Sequence, residues 1–344
     1  MKQIEKIAAA KPFGIVLREK DLPVKEYSEL ARQVRDICRS ADTSLIVHSH
    51  PAVARELGIP LEVRDITCPL EEKVITPFIN EYMSGRTPNP CVICNPGVKF
   101  RALIEEADRI GAIKVATGHY AVARGGRLYA SPSPKDQSYM LYRLPPEVIA
   151  RCVFPLGETE DKAEVRELAR RAGLSGSQAP DSMEICFIPD GDHAAFIEGR
   201  GFCPKKGNFI DESGRVLGPD GGIHRYTIGQ RRGLGIASTG RLYVSEIRVG
   251  SGDVVLSLND PVVTRCHMKD MAFPDPEYMD KESFDCLVRV RHSRGFAAGR
   301  CFPGRGYIDF EQPVRAVTPG QSAVCYTPDD RQVVCGGFIT EGVE

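Results

Sequence analysis

Residues 87–120, TPNPCVICNPGVKFRALIEEADRIGAIKVATGHY, decide the fold class of this chain. Two prolines stiffen a turn at Thr87–Pro90, the apolar spacing predicts a helix over Lys99–Ile110, and Lys114–Thr117 reads as a short strand. A helix feeding a strand of that length belongs to a parallel sheet layered with helices. The strand ends at Gly118. In open α/β sheets the carboxyl ends of the strands form the ligand crevice, and a glycine there lets a ligand approach the backbone.

The same alternation extends both ways. Upstream, strands are expected at Ile15–Leu17, Ser44–Val47 and Pro60–Ile66, with helices at Tyr27–Cys38, where Leu30, Val34 and Ile37 recur at helical spacing, at Ala52–Leu57 and over 70–84. Downstream, Asp161–Ala172 reads as a helix capped by Thr159. From about Gly199 short alternating runs divided by Gly and Pro take over, such as Leu242–Val249, Val254–Leu258, Cys286–Val290 and Ser322–Tyr326. The expected division is an α/β domain over 1–198, a β-rich segment over 199–260 and a further β domain over 261–344.

Hydrophobic residues at 42% and charged residues at 26% exclude a largely disordered chain. No apolar run approaches the roughly 18 residues of a membrane span, and Met1–Lys6 lacks an apolar signal core, so a soluble cytoplasmic protein with no membrane partner is expected. A net charge of -1 supplies no global field for a polyanion, which local patches must then hold. Twelve cysteines in such a chain suggest buried small apolar groups, metal ligands or reactive thiols rather than a disulfide scaffold. Cys266, Cys286, Cys301, Cys325 and Cys335 lie among alternating apolar residues and read as β packing. Cys91 and Cys94, two residues apart after a rigid turn, stand out. No second pair accompanies them, which disfavours structural zinc, and a helix N-terminus nearby is expected to favour a thiolate. Three further segments carry polar or thiol chemistry: Lys135-Asp136-Gln137-Ser138-Tyr139, the Cys186 thiol within Asp181–Ile188, and Tyr226–Gly235, whose Arg231-Arg232 pair suits phosphate contact.

The segments T-P-N-P-C-V-I-C-N, A-T-G-H-Y, K-D-Q-S-Y, E-I-C-F-I and Y-T-I-G-Q-R-R-G-L-G stand in this order between about Gly58 and Gly337, and on them the chain resembles the tRNA-specific 2-thiouridylases. The resemblance implies a nucleotide-binding α/β domain, a small β-rich central domain and a C-terminal β-barrel. It implies ATP-dependent (with Mg) sulfur insertion at C2 of the wobble uridine of certain tRNAs, with a protein persulfide as sulfur carrier and a sulfur-relay or cysteine desulfurase protein as donor. Cys94 matches the nucleophile and Cys186 the persulfide carrier, which share a disulfide on sulfur release. Gly118 matches a nucleotide contact. Asn89, Pro90, Cys91, His119, Lys135, Asp136, Gln137, Arg289, Val290 and Gln321 match tRNA-contacting positions, with Val290 standing where the family usually has Tyr.

One family element is missing. The S-G-G-x-D-S loop, whose amides hold the ATP phosphates, occurs nowhere in the sequence, and the nearest lookalike is Gly250-Ser251-Gly252-Asp253. In its place residues 3–58, through Gly14–Leu22 and Leu45–His50, are similar to an early part of thiamine phosphate synthase, where Arg18 and Lys20 would meet a pyrophosphate. Two β/α units cannot close that family's eight-unit barrel, so the α/β domain is expected to be incomplete. Two alternatives stay open: a tRNA-binding protein without catalysis, and an iron–sulfur protein using Cys91, Cys94 and Cys186, the less favoured of the two.

Overall fold

In the computed structural model the strand–helix alternation gives way to β structure after residue 199. The described residues are 4–5, 8, 14–17, 23–41, 44–47, 51–58, 64–171, 185–188, 190–292, 295–315 and 317–343. They fall into two units, Met1–Asp65 with Thr159–Met183, and Ile66–Glu158 with Glu184–Glu344.

In the first unit β1 (Gly14–Leu17) pairs in parallel with β2 (Ser44–Val47), joined through the helix Val24–Ser40. That helix buries Tyr27, Ala31, Val34 and Cys38 against Val53 and Leu57. Its buried stripe thus runs on Tyr27 and Ala31, with Leu30 only half-buried beside it. The downstream helix spans Lys162–Arg171. Asp161, not the expected Thr159, serves its start, with Oδ1 accepting the Ala163 N–H at 2.7 Å. Of the strand expected over 60–66, residues 60–63 and the segment carrying Arg18 and Lys20 lie outside the described residues, and Arg64–Ile66 are not extended into a strand.

The second unit opens with Thr67–Leu70, Glu71–Ile75 and Thr76–Met83, consecutive helical segments with a π turn between two α segments. The strand expected at Lys114–Thr117 shortens to β3 (Val115–Ala116). After it come the hairpin strands β4 (Val122–Arg124) and β5 (Arg127–Tyr129), then β6 (Cys152–Val153), which pairs in parallel with β3. The central region folds as a four-stranded sheet of β7 (Asn208–Asp211), β8 (Val216–Pro219), β9 (Tyr243–Arg248) and β10 (Asp253–Ser257), in the order β8-β7-β10-β9. Phe209, Ile223, Val244, Val254 and Leu256 form its core.

The last region is a closed antiparallel barrel of β11 (Val262–Ala272), β12 (Phe284–Arg289), β13 (Ala297–Phe302), β14 (Tyr307–Arg315), β15 (Ser322–Tyr326) and β16 (Val333–Val343), in the order β11-β14-β13-β12-β15-β16. Closure removes the unpaired edges that a sheet of this size would otherwise expose. The pleat of β15 and β16 serves two cores. Ala323, Cys325 and Cys335 face the barrel interior, while Val324, Tyr326 and Val333 pack with Val92, Phe100, Tyr139, Leu141 and Tyr142. The barrel wall and the helix that carries Cys91 and Cys94 therefore share one buried cluster, which fixes the site described next.

Candidate active site

Asn89 starts the thiol-bearing helix, its Oδ1 accepting the Cys91 N–H at 3.1 Å. Helical backbone then runs without a break through Cys91–Cys94, a π turn at Asn95–Lys99 and Phe100–Ile110. The π turn contains Pro96, which has no N–H to donate, so the ladder must skip there. Cys91 and Cys94, three apart, share a helix face. Cys94 is buried with Val74 and Val98 against Phe187, whereas Cys91 is half-buried. Phe187 also meets Phe78 edge-on, ring centroids 5.4 Å apart, which pins the turn carrying the exposed Cys186 beside these helices.

Cys91 and Cys94 both feel Lys99 and Cys186. Burial pushes the Cys91 and Cys94 thiols above their ordinary value, the Lys99 ammonium pulls both down, and Cys186 pushes both up. The thiolate-favouring helix mouth expected from the sequence is therefore not what forms. The helix begins at Cys91 rather than after Asn95, Cys94 lies a turn inside it, and desolvation outweighs the cation. Every described cysteine is a free thiol. Cys91, Cys94 and Cys186 do not close into a set able to hold a single metal ion among the described residues.

Lys99 also acts on the strand end. His119 stacks on Phe100 at 5.7 Å and meets Phe154 edge-on, and its Nδ1 bonds to Thr117 Oγ1 at 2.8 Å. Burial, with a smaller push from Lys99, lowers its pKa to about 4, so the ring is neutral near pH 7. Beside it Gly118 is exposed, and a Cβ there would meet only Leu156 Cδ1 at 3.9 Å, which leaves the backbone open to approach. The Lys99 charge thus acts on both helix thiols and on the strand end.

The loop 131–138 folds around Asp136. This carboxylate, 3% exposed, accepts N–H bonds from Ser131 at 2.7 Å and Ser138 at 3.2 Å and the Ser138 hydroxyl at 2.8 Å, and pairs with Arg289. Gln137 ties the same loop to Tyr120, accepting its N–H at 3.0 Å and donating its own backbone N–H to the Tyr120 carbonyl at 2.6 Å. Lys135 beside them is half-buried. Val290 departs from the expected tRNA contact, because its side chain is 3% exposed and belongs to the barrel core. Asp136 and Arg289 likewise bond inward, joining this loop to β12.

Thr87, the first residue of the thiol motif, is a junction in the structure. Its N–H donates to the Pro319 carbonyl at 2.9 Å, its carbonyl accepts from Gln321 Nε2 at 2.7 Å, and its hydroxyl bonds that of Thr227 at 2.9 Å. Gln321 and the central region's Tyr226–Gly235 segment therefore both hold the turn before Cys91. A cavity of about 290 Å³ opens here, with Lys73, Arg86, Asn89, Pro90, Lys269 and Phe338 among its walls. Arg231, Arg232 and Arg241 border a second, open one of about 420 Å³. Sequence reasoning missed Lys73 and Lys269, since isolated lysines in unrelated segments carry no local signal.

Three family descriptions match the chain in series: tRNA methyl transferase HUP domain over residues 18–190, tRNA methyl transferase PRC-barrel domain over 195–257, and aminomethyltransferase beta-barrel domain over 263–339. Among curated proteins it is similar to the tRNA-specific 2-thiouridylase MnmA of Syntrophotalea carbinolica, 42% identical over 299 residues, covering 83% of each chain. The Geobacter metallireducens protein of the same name is 39% identical, covering 89% of this chain and 85% of its own. That of Clostridium acetobutylicum is 38% identical, covering 83% and 82%.

Proposed function

The chain belongs to the tRNA-specific 2-thiouridylase family, and on that premise we propose that it replaces O2 of a tRNA uridine with sulfur through Cys186 and Cys94. The observation that carries this reading is the unequal exposure of two neighbouring thiols. Cys186 is exposed, where a donor protein can load a persulfide, and Cys94 is buried beside it, shielded from unproductive oxidation. The terminal sulfur of the Cys186 persulfide would form a bond to uridine C2 as the C2–O2 bond breaks, O2 departing with the phosphoryl group that activates it. The Cys94 thiolate then attacks Cys186 Sγ, the S–S bond to the transferred sulfur breaks, and its electron pair leaves with the thiocarbonyl sulfur. Two thiols are oxidised to one disulfide as the sulfur is reduced, so balance holds, and an external thiol resets the pair.

The tRNA would lie along the basic surfaces. The 290 Å³ cavity combines Lys73 and Lys269 with the Phe338 ring for phosphate and base, its Arg86 being already paired with Glu81, and Arg231 and Arg232 suit the backbone farther out. His119, neutral, can accept or donate a hydrogen bond but brings no charge to the RNA.

Before sulfur can enter, O2 must become a leaving group, which ATP supplies in the family's reaction. Among the described residues none forms the glycine–serine loop that would hold its phosphates. Gly118 leaves room for a nucleotide, but the glycine–serine loop is absent. The lookalike at Gly250–Asp253 is the turn between β9 and β10, its Asp253 carboxylate holding the Asn208 N–H at 3.0 Å. This mismatch favours a second reading, a tRNA-binding protein without catalysis. Nucleoside mass spectrometry of unmodified tRNA incubated with the protein, Mg-ATP and a persulfide donor separates the two. Appearance of 2-thiouridine supports the sulfurtransferase, while bound but unmodified tRNA supports the second reading.

A further inference from the structure

Five of the six barrel strands each contribute one cysteine to the interior: Cys266 on β11, Cys286 on β12, Cys301 on β13, Cys325 on β15 and Cys335 on β16. None is more than 3% exposed. Cys325 and Cys335 are direct cross-strand partners. Cys301 comes from a strand adjacent to neither β15 nor β16 and reaches them across the interior. The sulfurs of Cys301, Cys325 and Cys335 all lie within 4.8 Å of one another, with Cys301 and Cys335 at 4.0 Å. Bonds of about 2.3 Å from one metal ion would place its sulfurs about 3.8 Å apart at tetrahedral angles and about 4.0 Å apart at trigonal ones. Plain packing needs small apolar groups at these positions but gives no reason for three sulfurs from opposite walls to meet at one point.

We propose that the barrel interior is a site for one soft, thiophilic metal ion, zinc(II) or copper(I), held by the thiolates of Cys301, Cys325 and Cys335. Soft thiolate sets select such ions over magnesium or calcium. Cys286 lies outside this trio, its thiol donating to the Gly299 carbonyl at 3.5 Å, so three thiolates make up the set. Each thiol that ligates exchanges its S–H bond for a metal–sulfur bond and gives its proton to solvent, and the metal keeps its oxidation state. Because the cluster is sealed from water, the ion enters as the barrel closes, and it ties opposite walls together. This site is separate from Cys91, Cys94 and Cys186, and its standing does not depend on whether the chain thiolates tRNA.

The test refolds the full chain from denaturant with zinc(II), with copper(I) under thiol reductant, or with cobalt(II) as a spectroscopic probe, then desalts and measures metal per chain by mass spectrometry. One equivalent of zinc or copper is expected to survive desalting, the arm that retains it naming the ion, and the cobalt form should show sulfur-to-metal charge transfer. The Cys91→Ser/Cys94→Ser/Cys186→Ser variant should keep the ion, and Cys301→Ala/Cys335→Ala should lose it. No retained equivalent in either arm overturns the proposal. So does loss of the ion in the first variant, or its retention in the second. Should the barrel variant fail to fold, wild-type cobalt protein without a sulfur charge-transfer band is equally fatal.

Discussion

Lys99 is exposed, yet its charge reaches both helix thiols and His119. The thiols are already raised by burial, so removing the cation must raise them further. Lys99→Ala is therefore expected to move the pH profile of Cys91 and Cys94 alkylation to higher pH, read by mass spectrometry of iodoacetamide adducts; an unmoved profile would show that Lys99 does not set thiolate formation. Cys94→Ser should abolish thiolation while tRNA affinity stays within about twofold, since a buried thiol has little surface to offer RNA. Full thiolation by that variant would remove Cys94 from the nucleophile role. Both cysteines were readable from their rigid turn and spacing. Their environment was not, because burial depends on Val74 and Phe187, which come from segments remote in sequence.

At the level of elements, the turn before Cys91 is held by the barrel loop. Gly320 has φ +91°, and a Cβ there would lie 2.9 Å from the Thr87 nitrogen. Gly320→Ala should destabilise by at least about 1 kcal/mol, from strain and from loss of the Thr87 bonds, seen as a lower denaturation midpoint. The loop around Asp136 depends on its buried pair with Arg289, whose side chains are 2% and 14% exposed. Asp136→Ala leaves that guanidinium without its carboxylate and should cost roughly 3–5 kcal/mol in a chemical-denaturation curve. A loss under 1 kcal/mol would mean solvent already screens the pair. The family resemblance marked Asp136 and Arg289 as tRNA-contacting positions. That they meet each other was hidden by their sequence separation of 153.

Across the whole molecule a net charge of -1 means that tRNA must be held by clustered cations, not by the overall field. Arg231→Ala/Arg232→Ala should weaken tRNA binding and reduce its salt slope by about one to two counterions, measured by filter binding across salt concentrations. Burial holds His119 near a pKa of about 4 and lowers His193, His224 and His292 as well. Once unfolded, these rings take up protons below about 6.5. The unfolded state then binds more protons than the folded one, so stability is full above that value and falls as pH drops toward 4. Thermal melts from pH 7.5 to 4.5 check this, and a flat melting temperature would contradict it. The sequence alone determined the α/β-then-β order, the candidate cysteines and the family, because helical and strand periodicity and contiguous motifs are local properties of the chain. Only the tertiary structure decided that Val290 faces the core, that Asp136 belongs to Arg289, that Thr87 is a three-way junction and that cysteines from opposite walls converge in the barrel. Each of those depends on which distant segments pack together, and pairing across the fold leaves no mark in local sequence.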